Sequence, residues 1–492
     1  MEIAILNDSS FKNAHLERLQ AVGRLTLPSC VLSDNGATMT IIEDLKRALG
    51  DDAVLTGAAI GERYRSDASQ TGEHLPRAVL RPASVEGVAK ALHICNEHRQ
   101  SVVPQGGLTG LAGGASPTGA DIALSLERLT GIEEIDEASA TMTVWAGTPL
   151  EVAQNAAEAK GFLLPIDLGA RGSCQIGGNL STNAGGIRVI RHGVTRDNVL
   201  GLEAVLADGT VLTMLNKMVK NNTGYDLRQV FIGAEGTLGV ITRAVLRLRP
   251  LPTGRATALC ALANYDDVVG LLKRAQRDLP GLSAFEAMWQ SYFSFNEKAE
   301  GLRLFDRDHP FTVIIEAEGS NGQFESFLGD VLEAGSIADA LIAQSEKERR
   351  SFWAVREGLA MDRLLPSLVN LDVSMAIGSL GGFAETCASA LTERFPGAHV
   401  SFYGHIGDSN LHIAVAVEGA AASDLHDIDE TVYRLVQSHG GSISAEHGIG
   451  TLKRDFLKFS RSPAELEVMR RDRKSTRLNS SHIQKSRMPS SA

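Results

Sequence analysis

The sequence predicts an α+β protein of two domains joined near residues 250–253. Three observations predict it. Between 76 and 252, short strand-like runs alternate with three glycine-rich stretches. From 253 those stretches vanish, and longer amphipathic segments such as "YDDVVGLLKRAQRD" alternate with strands such as "FTVIIEAEG". The change falls at "PLP" (250–252), where proline ends the preceding strand.

In chain order, residues 1–75 carry little pattern beyond a helix in "TIIEDLKRALG". "RAVLRP" reads as a strand, and "SVEGVAKALHICNEHRQ" as a helix capped by Ser84. "SVVP", "DIALSL" and "TMTVWAG" read as strands, and "TPLEVAQNAAEAKG" as a helix with glycine at its end. "LGLEAVLADGTVLTM" is two apolar runs around Asp208-Gly209, a hairpin signal, and "TLGVITRAVLRLRP" is a further strand. Beyond 253, "FESFLGDVLEAG" and "FAETCASALTERF" read as helices, "VSFYGHI" as a strand. Such alternation predicts an open sheet with helices on one face.

Composition excludes several classes of function. The 492 residues are 43% hydrophobic with a net charge of −11, so no cationic surplus exists to track nucleic-acid phosphates. No run of 18 apolar residues predicts a membrane span, and the N-terminus lacks a signal-peptide core, so a cytoplasmic location is expected. Cys30, Cys95, Cys174, Cys260 and Cys387 are odd in number and widely spaced, which argues against disulfides or a thiolate metal site. The segment 473–492, "RKSTRLNSSHIQKSRMPSSA", has five basic residues and no acidic one; it reads as a non-native tail.

The glycine stretches carry chemistry. "PQGGLTGLAGGA" (104–115) follows a strand and places five glycines within nine positions, a loop whose N–H groups can cradle a diphosphate. It is neither a Walker loop nor a G-x-G-x-x-G fingerprint. "PIDLGARGSCQIGGNLSTNAGG" (165–186) mixes glycine with small polar residues, so a flat ring could lie on backbone with its edges hydrogen-bonded. "NNTGYDLRQVFIGAEGTLGVIT" (221–242) is the third.

Together, "IGGNLSTNAGG", "RHGVTRDNVLGLEAVLADGT" and "NNTGYDLRQVFIGAEGTLGVIT" resemble the FAD-binding domain of the vanillyl-alcohol oxidase / p-cresol methylhydroxylase (PCMH) superfamily, in its D-lactate and D-2-hydroxyglutarate dehydrogenase branch. The likeness runs from about 50 to 470. It implies a two-part PCMH-type FAD-binding domain (76–252), entered through 1–75, then a substrate and metal domain (253–472) with an antiparallel sheet covered by helices. It places the FAD diphosphate on Pro104, Gln105, Gly106, Gly107, Leu108, Thr109, Gly110, Gly113 and Gly114. It places the flavin and adenosine along Asp167, Gly172, Ser173, Gly177, Gly178, Asn179, Ser181, Thr182, Asn183, Gly185 and Gly186, and along Glu235, Gly236, Gly239, Val240 and Ile241. It gives no reason for a covalent flavin, and His192 reads as a polar surface residue.

"SFYGHIGDSNLHIAV" (401–415) is two strand-like runs around a turn. A four-residue loop at 407–410 would set His405 opposite His412, as a packed histidine pair or as half of a metal site. Downstream, "SISAEHGIGTLKRDFL" offers Glu446 and His447 beside a glycine turn, and a two-His, one-carboxylate set leaves metal positions open for substrate. "GHIGDSNLH" with "EHGIG" also resembles the metal-dependent branch of the family, which implies His405, His412 and Glu446 as ligands and His447 as the base. Zn²⁺ is the first expectation from these donors, with Mn²⁺, Co²⁺ or Fe²⁺ as alternatives. Arg356, on a predicted helix, offers a planar fork to a substrate carboxylate.

The expected reaction is oxidation of a D-2-hydroxy acid to the 2-oxo acid, with hydride passing to flavin and electrons leaving to a quinone, cytochrome or electron-transfer flavoprotein. A glycolate-oxidase-type subunit, an oxygen-using oxidase and a non-catalytic flavin- or metal-binding module are the rivals; a homodimer is compatible with all. Relatives built for D-2-hydroxyglutarate resemble this chain less at three positions. Asn370 stands where they carry Lys, Ala360 where they carry Thr, and Ala414 where they carry Asn. A family-type "NPGK" ending is also absent, so a closing piece is expected to be missing.

Overall fold

The computed structural model describes residues 40–365 and 367–476; the expectations at 1–39, including Cys30, and at 477–492 lie outside them. By internal contacts the chain from Ile41 onward is one unit; of the other, Met1–Thr40, only Thr40 is described.

The first half builds two sheets. One runs Val54–Leu55, Ala78–Leu80, Ile122–Ser125, Val102–Gln105, with the first pairing antiparallel and the others parallel. Pro104, which has no N–H to give a ladder, sits on the edge strand, where its absence costs least. Helix Val85–Glu97 starts where the Ser84 side chain accepts the Gly87 N–H (3.1 Å), and its buried face packs on this sheet. The second sheet is antiparallel, in the order Ile132–Asp136, Thr141–Trp145, Val240–Arg247, Val199–Val205, Val211–Met214. Gly209 closes its last hairpin at φ 87, a left-handed position that favours glycine. Val240 and Ile241 are each 2% exposed and point into two different cores. Any contact they make with a cofactor is therefore through backbone groups, because the strand that carries them is central.

The second half is one antiparallel sheet of seven strands: β1 (Arg255–Leu262), β2 (Leu282–Trp289), β3 (Phe311–Glu318), β4 (Asp339–Ile342), β5 (Val369–Ser374), β6 (His399–His405) and β7 (Asn410–Ala416), in the order β4-β1-β3-β2-β6-β7-β5. Helix Tyr265–Asp278 shows how its main core arises. Asn264 caps it through Asp267 N–H (2.9 Å), and Val268, Leu271, Leu272 and Ala275 bury one face at helical spacing. With helices Asn321–Glu333, Leu380–Arg394 and Ala422–Ser438 it covers one side of the sheet. The other side is covered too. Tyr292, Phe352 and Trp353, from helices Gln290–Ala299 and Glu346–Glu357, pack on Leu259, Ala284, Met288, Ile314 and Ala414. The single covered face expected from the sequence is corrected: β1, β2 and β3 are mostly apolar and are buried at nearly every position, on both faces of the sheet.

Candidate active site

The site lies on that second face, at β2, β6, β7 and β5. Register places its residues in rows. Asp372, His412, Tyr403 and Met288 are successive partners across β5, β7, β6 and β2. In the row beside it, Ser374 faces Asn410 and His405 faces Glu286.

The expected register is corrected here. Tyr403, not His405, stands directly opposite His412. The connection is a tight turn at Ile406–Asp408 followed by Ser409 in the left-handed conformation (φ 74), and β7 starts at Asn410. A shift of two residues keeps side chains on the same face, so His405 and His412 still meet, ring centroids 5.3 Å apart. Gly404 permits the crossing: a Cβ there would lie 2.3 Å from the Asn410 carbonyl oxygen.

His405, His412 and Glu446 converge as expected. Each offers one ligand atom, and these atoms lie within 4.8 Å of one another, with Glu446 Oε1 3.3 Å from His405 Nε2. His405 Nδ1 is held by Glu286 Oε1 at 2.6 Å, which turns Nε2 toward Glu446 and His412. Burial lowers His405, but the Glu286 and Glu446 carboxylates outweigh it and raise it to about 9. Burial and then the charges of His405 and Arg356 keep His412 well below its usual value, so its imidazole is a neutral donor. Tyr403 stacks on His412 (centroids 4.8 Å) and on Tyr292 (3.9 Å) and fixes that ring. The donors fit a divalent ion.

His447 is held separately. Its Nδ1 lies 2.9 Å from Asp372 Oδ1, leaving Nε2 for a substrate. Asp372 is fully buried, and its Oδ2 accepts the N–H groups of Ala445 (2.8 Å), Glu446 (2.6 Å) and His447 (3.0 Å), while Lys453 pairs with Oδ1. Burial alone would raise Asp372; Lys453, His447 and those N–H groups hold it well below the usual carboxylate range.

Arg356 departs from expectation. It is 7% exposed, and its Nε (2.8 Å) and Nη2 (2.6 Å) both meet Glu286 Oε2. The fork expected to grip a substrate carboxylate is turned to the carboxylate that orients His405. Glu286, Asp372, Tyr403 and Lys453 belong to the site although neither histidine motif marks them. The signal for Glu286 and Asp372 is an acidic residue at an inward position of an apolar strand ("LSAFEAMW", "VNLDVS").

The glycine segments meet around Gly106. Its Cβ would lie 3.5 Å from Gln175 Oε1 and 3.7 Å from Gly178 Cα. Gln105 Oε1, Gln175 Oε1 and Asn179 Nδ2 are buried without a protein partner, and a Cβ on Gly178 would meet nothing within 4 Å. Open backbone ringed by unused amide groups fits a polar, extended cofactor. Ser181 and Thr182 instead give their hydroxyl protons to Gly177 O (2.7 Å) and Gly178 O (3.1 Å), and Asn183 Oδ1 accepts the Arg196 N–H. Gly185 carries the segment to the metal donors: a Cβ there would press on Glu446 Oε1 at 3.2 Å. His192 is not a surface residue as expected; it is nearly buried, 3.9 Å from Glu318. The four described cysteines are buried and free, and no described helix is long and apolar enough to cross a membrane.

Fold and site together define a two-domain FAD-linked oxidoreductase. Residues 76–215 match the FAD binding domain family and 251–475 the C-terminal domain family of FAD linked oxidases. A D-2-hydroxyglutarate dehydrogenase of Stutzerimonas stutzeri is 34% identical over 445 residues, 87% of this chain and 95% of that protein. The mitochondrial D-2-hydroxyglutarate dehydrogenase of Bos taurus is 38% identical over 402 residues, 80% and 73%. A crystal structure of p-cresol methylhydroxylase with substrate bound has the same fold, with TM-score 0.69 and 16% identity over 89% of this chain and 94% of that one. The chain belongs to the D-2-hydroxyglutarate dehydrogenase family of FAD-linked oxidoreductases.

Proposed function

We propose that the protein is an FAD- and metal-dependent dehydrogenase that converts a D-2-hydroxy acid to the 2-oxo acid. One observation carries the reading: the donor set His405, His412 and Glu446 converges beside a histidine, His447, separately oriented by a buried carboxylate. When bound, FAD supplies the hydride acceptor and the divalent ion acidifies the substrate hydroxyl.

The chain's own residues do the rest. His447 Nε2 takes the hydroxyl proton, and Asp372 stabilises the imidazolium that results. Glu286 and Tyr403 hold the two ligand rings, and Arg356 adds a buried positive charge 3.4 Å from His405 Nδ1 in a site that must accept an anion. Asn370, Ala414 and Ser401 form the next row across the sheet, and Ala360 is buried. That row brings no charge to a second carboxylate, which favours a D-lactate-like monocarboxylate over D-2-hydroxyglutarate.

The test is anaerobic bleaching of the bound flavin by a panel of D- and L-2-hydroxy acids, with and without chelator. Bleaching by D acids that chelator abolishes is expected. A flavin that no member of the panel reduces would refute the reading.

A further inference from the structure

We propose that Glu235 is a positioning residue: its carboxylate, presented by the FAD-binding half, fixes the loop that carries Glu446 and His447. The inference rests on the metal-ligand and base assignments above, and it gives Glu235 a different task from the cofactor contact expected of it.

The loop 445–450 has no regular secondary structure, yet five of its N–H groups are held by two carboxylates, one from each half of the protein. Asp372 takes Ala445, Glu446 and His447. Glu235 takes the other two: Ile449 N–H on Oε1 at 2.8 Å and Gly450 N–H on Oε2 at 2.7 Å. Charge-assisted bonds of this kind are short and strong. The backbone on both sides is shaped for the contact. Gly448 and Gly450 have φ 79 and 50; a Cβ on Gly448 would lie 3.0 Å from Glu235 Oε1, and one on Gly450 2.1 Å from Ala112 O. Glu235 itself sits at φ 51, where an L residue persists only if its surroundings fix it, and its N–H is tied to Ser181 O at 2.7 Å. Thr451 N–H and Leu452 N–H continue the seam onto Ala112 O, inside the 104–115 glycine loop (3.0 and 3.2 Å). The base and the metal carboxylate are therefore suspended between the two halves, and Glu235 is the FAD-binding half's grip on them.

Glu235→Gln tests this. An amide has one acceptor and turns an NH₂ against a backbone N–H, so one of the two bonds is lost. The comparison is Arg191→Met, which cuts another contact between the same halves, Arg191 to Glu318 (2.7 Å) and to Pro280 O (2.8 Å), without touching 445–450. Both variants and wild type are read three ways: flavin absorbance, amide hydrogen exchange of the 445–452 segment, and the rate of flavin reduction by saturating D-lactate or D-2-hydroxyglutarate. In Glu235→Gln the flavin is expected to stay bound, exchange in 445–452 to rise at least tenfold, and reduction to slow at least tenfold; Arg191→Met is expected to show neither change. The inference is overturned if Glu235→Gln exchanges and reduces like wild type, if Arg191→Met reproduces both effects, or if Glu235→Gln sheds its flavin. Should Glu235→Gln not fold, Glu235→Asp keeps the charge, shortens the reach by one methylene and enters the same comparison. A wild-type flavin that neither acid reduces would count against the functional reading alone, since hydrogen exchange still decides whether Glu235 holds the loop.

Discussion

His447 has one nitrogen committed to Asp372 and one free, and that asymmetry decides what each substitution does. His447→Ala removes the proton acceptor but none of the three metal donors. Flavin reduction is expected to slow by about 100- to 10,000-fold with flavin absorbance unchanged, the range for a positioned general base; a smaller loss in stopped-flow reduction would place the base elsewhere. Asp372→Asn acts on both stability and rate. The folded-state carboxyl is depressed, so its stabilisation is present above the ordinary carboxylate pKa and lost only as pH falls through the lower folded value. At neutral pH the substitution therefore removes the full effect and leaves Lys453 buried without its partner, at a cost of about 3–5 kcal/mol. Equilibrium denaturation at pH 7 checks this, and an unchanged midpoint would contradict it. His405, His412, Glu446 and His447 were legible because they crowd into two short motifs. Glu286 and Asp372 were not, because they lie 119 and 75 residues from the histidines they serve, and only strand pairing brings them there.

At the level of elements, the hairpin of β6 and β7 shows what a local pattern can and cannot specify. Alternating apolar residues fixed which face the histidines share, and that survived because the register error was even. Loop length did not fix the partner, since Ser409 takes up a left-handed position that no residue type demanded. The strand pairing instead follows from Gly404, where two backbones approach too closely for a Cβ. Gly404→Ala is expected to force β6 from β7, cost about 1–3 kcal/mol as overpacking does, and separate His405 from His412. Metal content after dialysis should fall by at least tenfold while flavin is retained; full metal occupancy would show that the crossing tolerates a methyl group. The Arg356 fork taught the converse: a helix arginine reads from sequence as available for a ligand, and only the fold shows Glu286 already in its grasp.

Across the whole molecule, the FAD-binding and substrate halves meet through a buried set of charges. Arg188, 7% exposed, reaches Asp167 on its own side at 3.1 Å and Glu316 and Glu318 of β3 at 3.8 and 3.9 Å. Glu316 is also approached by Arg255 (3.3 Å) and Arg349 (3.6 Å). Because these acids are nearly sealed from water, salt screens them little, whereas deleting Arg188 removes the one cation all three share and leaves Asp167 to Arg171 (3.2 Å), Glu316 to Arg255 and Arg349, and Glu318 to Arg191. Arg188→Met keeps most of the side chain's volume and removes only the charge. It is expected to cost about 0.5–3 kcal/mol and to lower the thermal midpoint by an amount that 0.5 M salt does not reproduce in the wild type. Asp167 leads back through Gly186, whose Cβ would meet the Asp167 carbonyl, to Gly185 against Glu446. Releasing Asp167 from Arg188 should therefore also weaken metal retention, although Arg188 touches none of the metal donors. Metal content measured alongside the melting curve separates the two possibilities: a lowered midpoint with full metal content would mean that the interface stabilises the halves without shaping the site between them.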